Sequence, residues 1–191
     1  KHWYRGFKYE EAFPETKKKQ ESTDTKPKID LTMGRVTSRF DMEGRDWPAQ
    51  YTNDAGNPLK KWENVTTTLK DIDPTKLHFV RVPTELIVID FDAKNEKGEK
   101  DLAKNLELAS QYPSTYTEVS KSGGGVHLHY WYDGDPTRLN NRISDDVEIK
   151  VYNGGASLRR KLISANDLPV AHISSGLPLK EEKKTMYKDV E

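Results

Sequence analysis

The chain predicts an α+β fold: an antiparallel or mixed sheet with helices packed on it. Two observations carry this. LIVIDFD at 86–92 is a short, continuous, β-branched apolar run, which suits a strand buried on both faces and is too short for a typical helix. After a single helical segment, strand-like segments follow at hairpin spacing, which no regular βαβ array produces.

The elements follow in order. Residues 1–13 scatter aromatics among charges, and 14–28 (PETKKKQESTDTKPK) hold almost nothing apolar, so this stretch is expected to be a flexible linker without a buried face. Apolar residues return over 29–47, and NDAGNP at 53–58 is a turn signal. After the strand at 86–92, KNEKGEK at 94–100 is a loop. Leu102, Leu106 and Ala109 lie on one helical stripe within 101–110, which Pro113 ends. TYTEVS at 115–120 and VHLHYWYD at 126–133 flank KSGGG, a turn needing unusual backbone angles, and form a β-hairpin. VEIKVY at 147–152 alternates cleanly, as does part of SLRRKLIS at 157–164. The charged tail from Leu177 is a helix or linker. The chain is expected to be a single domain over 1–191, with an N-terminal module to residue 80, a core over 81–170 and a tail over 171–191.

Composition narrows the function. The 191 residues carry 31 basic and 31 acidic side chains and no cysteine. That excludes a disulfide scaffold, a thiolate zinc site and a cysteine nucleophile. Zero net charge argues against a generally basic nucleic-acid binder and leaves room for a local basic groove. The mean hydropathy, −0.91, is polar for a globular domain. No apolar run approaches the ~18 residues that span a bilayer. The chain opens on Lys1 without a signal-peptide pattern and is expected to be a domain or processed fragment of a cytoplasmic protein.

Three segments carry the chemistry. Asp90 and Asp92 share a strand face by the period-two rule. Paired carboxylates at the end of an apolar strand repel unless a cation sits between them, and magnesium or manganese suits oxygen ligands. Gly123, Gly124 and Gly125 let backbone N–H groups approach a ligand closely, as in phosphate-binding nests. Ser120, Lys121 and Ser122 add donors there, and His127 follows the turn directly. His127, His129 and Trp131 share one strand face; Val126, Leu128 and Tyr130 share the other. In the third segment Glu148, Lys150 and Tyr152 oppose the apolar face of Val147, Ile149 and Val151, with Asp146 aligned to the polar set. Arg159, Arg160 and Lys161 are either surface charge or positive charge beside bound phosphates.

Taken in order, I-D-F-D at 89–92, S-G-G-G-V-H at 122–127 and V-E-I at 147–149 resemble the motifs of the archaeo-eukaryotic primase superfamily. More narrowly, they are similar to the primase–polymerase (prim-pol) domains of phage and plasmid replication proteins. The resemblance covers residues 80–165. It implies an RRM-like catalytic core and template-directed nucleotidyl transfer. It makes Asp90, Asp92 and Glu148 ligands of two Mg²⁺ or Mn²⁺ ions. His127 would meet the incoming nucleotide's phosphates, joined by Ser120, Ser122, the three glycines, His129, Lys150 and Arg159. The implied partners are nucleoside triphosphates, a single-stranded DNA template or primer and a fused or associated helicase, with no membrane. The implied setting is the bacterial host cell or its nucleoid. Two departures stand out. The family often has Ser where Gly125 stands, and its third acid is often Asp, which makes Asp146 a rival to Glu148.

Trp47, Tyr51, Lys60, Lys61 and Trp62 are candidates for holding the template, by stacking and local charge; packing against the sheet is the competing reading. His127-Leu128-His129 also matches the His-hydrophobe-His metal pattern of rolling-circle endonucleases and relaxases. Those need a tyrosine on a helix, and Tyr112, Tyr116 and Tyr187 do not sit convincingly on one. A non-catalytic nucleotide- or DNA-binding module is the third possibility.

Overall fold

The buried run at 86–92 becomes the middle of the sheet because only a central strand needs apolar residues on both faces. The computed structural model describes residues 29–31 and 37–181; the expected linker at 14–28 and most of the charged tail lie outside them. The fold is α+β, with mostly antiparallel sheets and few helices. Strands are β1 Ala49–Tyr51, β2 His78–Val80, β3 Leu86–Phe91, β4 Thr117–Val119, β5 Val126–Tyr132, β6 Arg142–Ser144, β7 Val147–Val151, β8 Leu158–Arg160 and β9 Ala171–Ile173. The α-helices are α1 Arg39–Glu43 and α2 Leu102–Ala109.

One sheet runs β4–β5–β3–β7–β6, with β9 parallel to β5 beyond the reach of β4. Its β3 pairs antiparallel with β5 and β7. One face bears Ile87, Ile89, Phe91, Leu128, Tyr130 and Ile149, packed with Ala109 of α2. Helix α2 starts on Asp101, whose side chain accepts from the Lys104 N–H, a standard N-cap. The opposite face bears Leu86, Val88 and Tyr116, packed with Phe40 of α1 and with the smaller sheet β1–β2–β8. Ser38 and Asp41 close a reciprocal capping box at the start of α1.

The expected boundary at residue 80 is not a physical division. β8 comes from the expected core segment, yet it pairs with β2 across His78↔Arg160 and Val80↔Leu158. Ala49, Val80, Val88 and Leu158 share one apolar cluster. No helix among the described residues is long and apolar enough to cross a membrane.

Candidate functional site

Strand register builds the site. Glu118, His127, Asp90, Glu148 and Arg142 lie in one row across β4, β5, β3, β7 and β6, so their side chains emerge on one face. His127 Nε2 lies 3.2 Å from Asp90 Oδ1. The like-charged neighbours Asp90 and Glu148 are tolerated because the Lys150 ammonium sits between them, 2.6 Å from Glu148 Oε2 and 4.0 Å from Asp90 Oδ2. Lys100 Nζ lies 2.7 Å from Asp92 Oδ1. Burial raises the Asp90 pKa, but His127, Lys150 and Lys100 outweigh it and hold the carboxyl below its ordinary value. The Lys150 pKa is raised, first by its bond to Glu148.

A cleft of about 320 Å³ opens beside this row. Of the expected site residues, Asp90, Asp92, His127 and Lys150 line it together with Ser120, Ser122 and Arg159. Lys100, Lys121 and Tyr152 complete its polar wall. Burial holds the Tyr152 hydroxyl pKa above its ordinary value. Glu148 stands beside Asp90 with its side chain half exposed. Its rival Asp146 lies in the β6–β7 turn, where its carbonyl accepts from the Asp92 N–H at 2.8 Å.

The glycine turn differs from the expected nest. The Gly123 N–H donates to the Ser120 carbonyl and the Gly125 N–H to Ser120 Oγ. Those two donors are spent inside the turn, and Gly123, Gly124 and Gly125 are not on the cleft wall. Gly123 is there for its φ of 85°. Gly125 answers to space: a Cβ would lie 2.7 Å from both Asp92 Oδ1 and Ser120 Oγ. The Ser120 hydroxyl therefore occupies the ground that a serine at 125 would need.

His129 also departs from expectation. It shares the β5 face with His127 but lies one row deeper, fully buried against Phe40 and Tyr116. It does not line the cleft, so the structure gives it no route to a nucleotide. Arg160 is likewise interior. Its Nε donates to both Glu118 oxygens and its Nη1 to Asp41 Oδ1, and its guanidinium lies over the Phe40 ring. Burial raises the Glu118 pKa, yet Arg160 and the groups around it hold the carboxyl well below its ordinary range. Tyr116 donates to Glu118 Oε2 at 2.6 Å. Glu118, His127 and His129 each offer one ligand atom within 4.8 Å of the others, so this group could hold a metal ion. Asp90, Asp92 and Glu148 are not drawn together that closely.

Among the template candidates, Trp47 packs edge-on against Phe40 and Trp131. The Tyr51 hydroxyl accepts from the Asp73 N–H. Both belong to the core margin. Trp62 sits in a short 3₁₀ turn beside exposed Lys60 and Lys61. Sequence reasoning missed Lys100, Glu118 and Asn105. Asn105 is fully buried; its side chain bonds both main-chain groups of Ala93 and the Gly124 carbonyl, tying the segment after Asp92 to the glycine turn. Its signal was a polar residue in the turn just before Leu106 and Ala109, within the helix's buried side. No protein-family model matches the sequence, and no curated protein matches it.

Proposed function

We propose that the cleft carries out template-directed nucleotidyl transfer, as a DNA primase or polymerase of the prim-pol type with an RRM-like core. The observation that supports this reading is that Asp90 and Asp92, His127, and Lys150, from three separate motifs, line one polar cleft. Divalent Mg²⁺ or Mn²⁺ fits the acids present: Asp90 Oδ1 and Asp92 Oδ1 are carboxylate oxygens met by nitrogen donors, His127 Nε2 at 3.2 Å and Lys100 Nζ at 2.7 Å, and hard cations take such oxygen ligands. Asp90, Asp92 and Glu148 would hold two such ions. When bound, they supply the charge that activates a 3′-hydroxyl and neutralises departing pyrophosphate.

The chain's own residues then divide the work. Lys150 contacts only Oε2 of Glu148, which leaves Oε1 for a cation, and the Lys150 ammonium on the cleft wall would meet a phosphate oxygen. Arg159, Lys121, Ser122 and His127 surround the same space and would grip the triphosphate by charge-assisted bonds. Gly123, Gly124, Gly125 and His129 lie off the cleft wall and are left out of that grip. The endonuclease alternative finds no free nucleophile at Tyr112, Tyr116 or Tyr152. The Tyr116 hydroxyl is buried on Glu118, Tyr112 packs on Phe91 on the opposite face, and Tyr152 is held against ionisation by burial. Tyr187 lies outside the described residues.

The test is synthesis on single-stranded DNA with labelled nucleotides and Mg²⁺ or Mn²⁺. Wild type should extend or start chains, and Asp90→Asn or Asp92→Asn should abolish this with the circular dichroism unchanged. Synthesis retained by either variant removes the proposal. Nucleotide binding without synthesis by the wild type would favour the non-catalytic module.

A further inference from the structure

His127 on the cleft wall and Glu118 and His129 behind it make a second cluster of ligands. The fold brings them together simply. Residues 127 and 129 share the β5 face by period two, and Glu118 faces His127 across the β4–β5 ladder. Three independent observations say that this cluster suits a cation.

The first is His129. Its ring is fully buried, and neither Nδ1 nor Nε2 has a hydrogen-bond partner. Its neighbour Glu118 Oε1 lies at 3.6 Å from Nε2, beyond hydrogen-bond reach. A buried imidazole left this way is destabilising, and coordination removes that cost. The second is charge. The Arg160 guanidinium faces two buried carboxylates, Asp41 and Glu118, while Ser38 and Tyr116 add only neutral hydroxyls. One negative charge is left over in the interior, where it is expensive. The third is the donor set. Two imidazoles and one carboxylate suit a zinc-like dication and leave a coordination position open, whereas Mg²⁺ prefers oxygen ligands alone.

We infer that Glu118, His127 and His129 form a three-ligand site for one zinc-class transition-metal ion, distinct from the acids at 90 and 92. Arg160 and Tyr116 hold the Glu118 carboxylate in place from behind, the usual task of groups one layer out from a metal. The ion would fix the His127 ring beside Asp90. The site does not depend on what the cleft catalyses.

The experiment uses the full chain, stripped with chelator and titrated with Co²⁺ alone, in millimolar Mg²⁺. Stoichiometric binding with visible d–d absorption is expected, displaced by Zn²⁺. Loss of an outer-layer partner commonly weakens metal binding by about 10–100-fold, so His129→Gln and His127→Ala should each weaken it by at least the upper figure. Asp92→Asn should leave it unchanged. If His129→Gln does not fold, the partly exposed His127 carries the test. Absence of stoichiometric Co²⁺ binding overturns the site. So does binding that survives in both histidine variants, or that disappears in Asp92→Asn, which would put the ion on the cleft acids. Failure of nucleotide synthesis leaves this result untouched, and failure of Co²⁺ binding leaves the polymerase reading standing.

Discussion

Replacing Arg160 by Met isolates what one buried cation does for this fold. Methionine fills much of the volume of the arginine stem, so the variant removes charge and hydrogen bonds with little cavity. Arg160 has a side chain only 1% exposed. It contacts Glu118 at 2.9 and 3.0 Å, Asp41 at 2.6 and 3.2 Å, and Ser38 at 3.2 Å. Removing one partner of a buried ion pair costs about 3–5 kcal/mol. Here two carboxylates share one guanidinium, so the losses are coupled and fall short of twice that figure. An expected loss of about 4 kcal/mol is a large part of the 5–15 kcal/mol that typically holds a domain together. With a urea slope of about 2 kcal/mol per molar, the midpoint should fall by about 2 M. Urea denaturation at pH 7, followed by circular dichroism, reads this directly. Adding Glu118→Gln and Asp41→Asn to Arg160→Met should restore much of the loss, because no uncompensated charge then remains. A single-variant cost below about 1 kcal/mol, the level of exposed pairs, would refute the claim that these carboxylates are ionised in a dry interior.

Gly125→Ser should destabilise the domain by about 1–3 kcal/mol through overpacking, and Ser120→Ala in the same chain should recover part of it, both read by thermal melting. Asn105→Ala orphans main-chain groups at Ala93 and Gly124 and should cost about 2–3 kcal/mol by urea titration. His78 is buried beside Arg160, Asp41 and Glu118; its Nδ1 meets the Lys76 carbonyl. Burial first, then Arg160, lowers its pKa from the ordinary 6.5. Its neutral form thus supports folding fully above pH 6.5, and that support is lost as pH falls below it. Urea midpoints should drop from pH 7 to 5, and His78→Asn should reduce the slope by up to about 1.4 kcal/mol per pH unit.

The fold was legible where a segment has enough residues to show a period. The run of β3, the stripe of α2, the β4–β5 hairpin and the alternation of β7 all declare themselves. The three-residue strands β1, β2 and β9 are too short to show one; β8 lies in the alternating stretch at 157–164, but its pairing with β2 joins segments about eighty positions apart, beyond any local pattern. In the site, alternation paired Asp90 with Asp92, His127 with His129 and Glu148 with Lys150, each within its own segment, and the strand register then put Asp90, His127 and Glu148 in one row. Alternation could not assign depth. His127 and His129 have the same parity, yet one meets the cleft and the other lies under Phe40. Arg159 and Arg160 show the same limit. Neighbours in a strand face opposite ways, and the carboxylates that draw Arg160 inward come from Asp41 and Glu118, far away in sequence. The glycine run suggested ligand contact because sequence shows the missing side chains and hides the hydroxyl that takes their space.

Strand 158–160 stitches itself to strand 78–80, so the half of the molecule that bears the acids cannot be inherited or excised by itself. A recombination breakpoint between those strands would leave each fragment with a raw edge and half of a shared core. Descendants of this gene should therefore keep both stretches together, and splitting the protein there should give two pieces that regain order only on mixing.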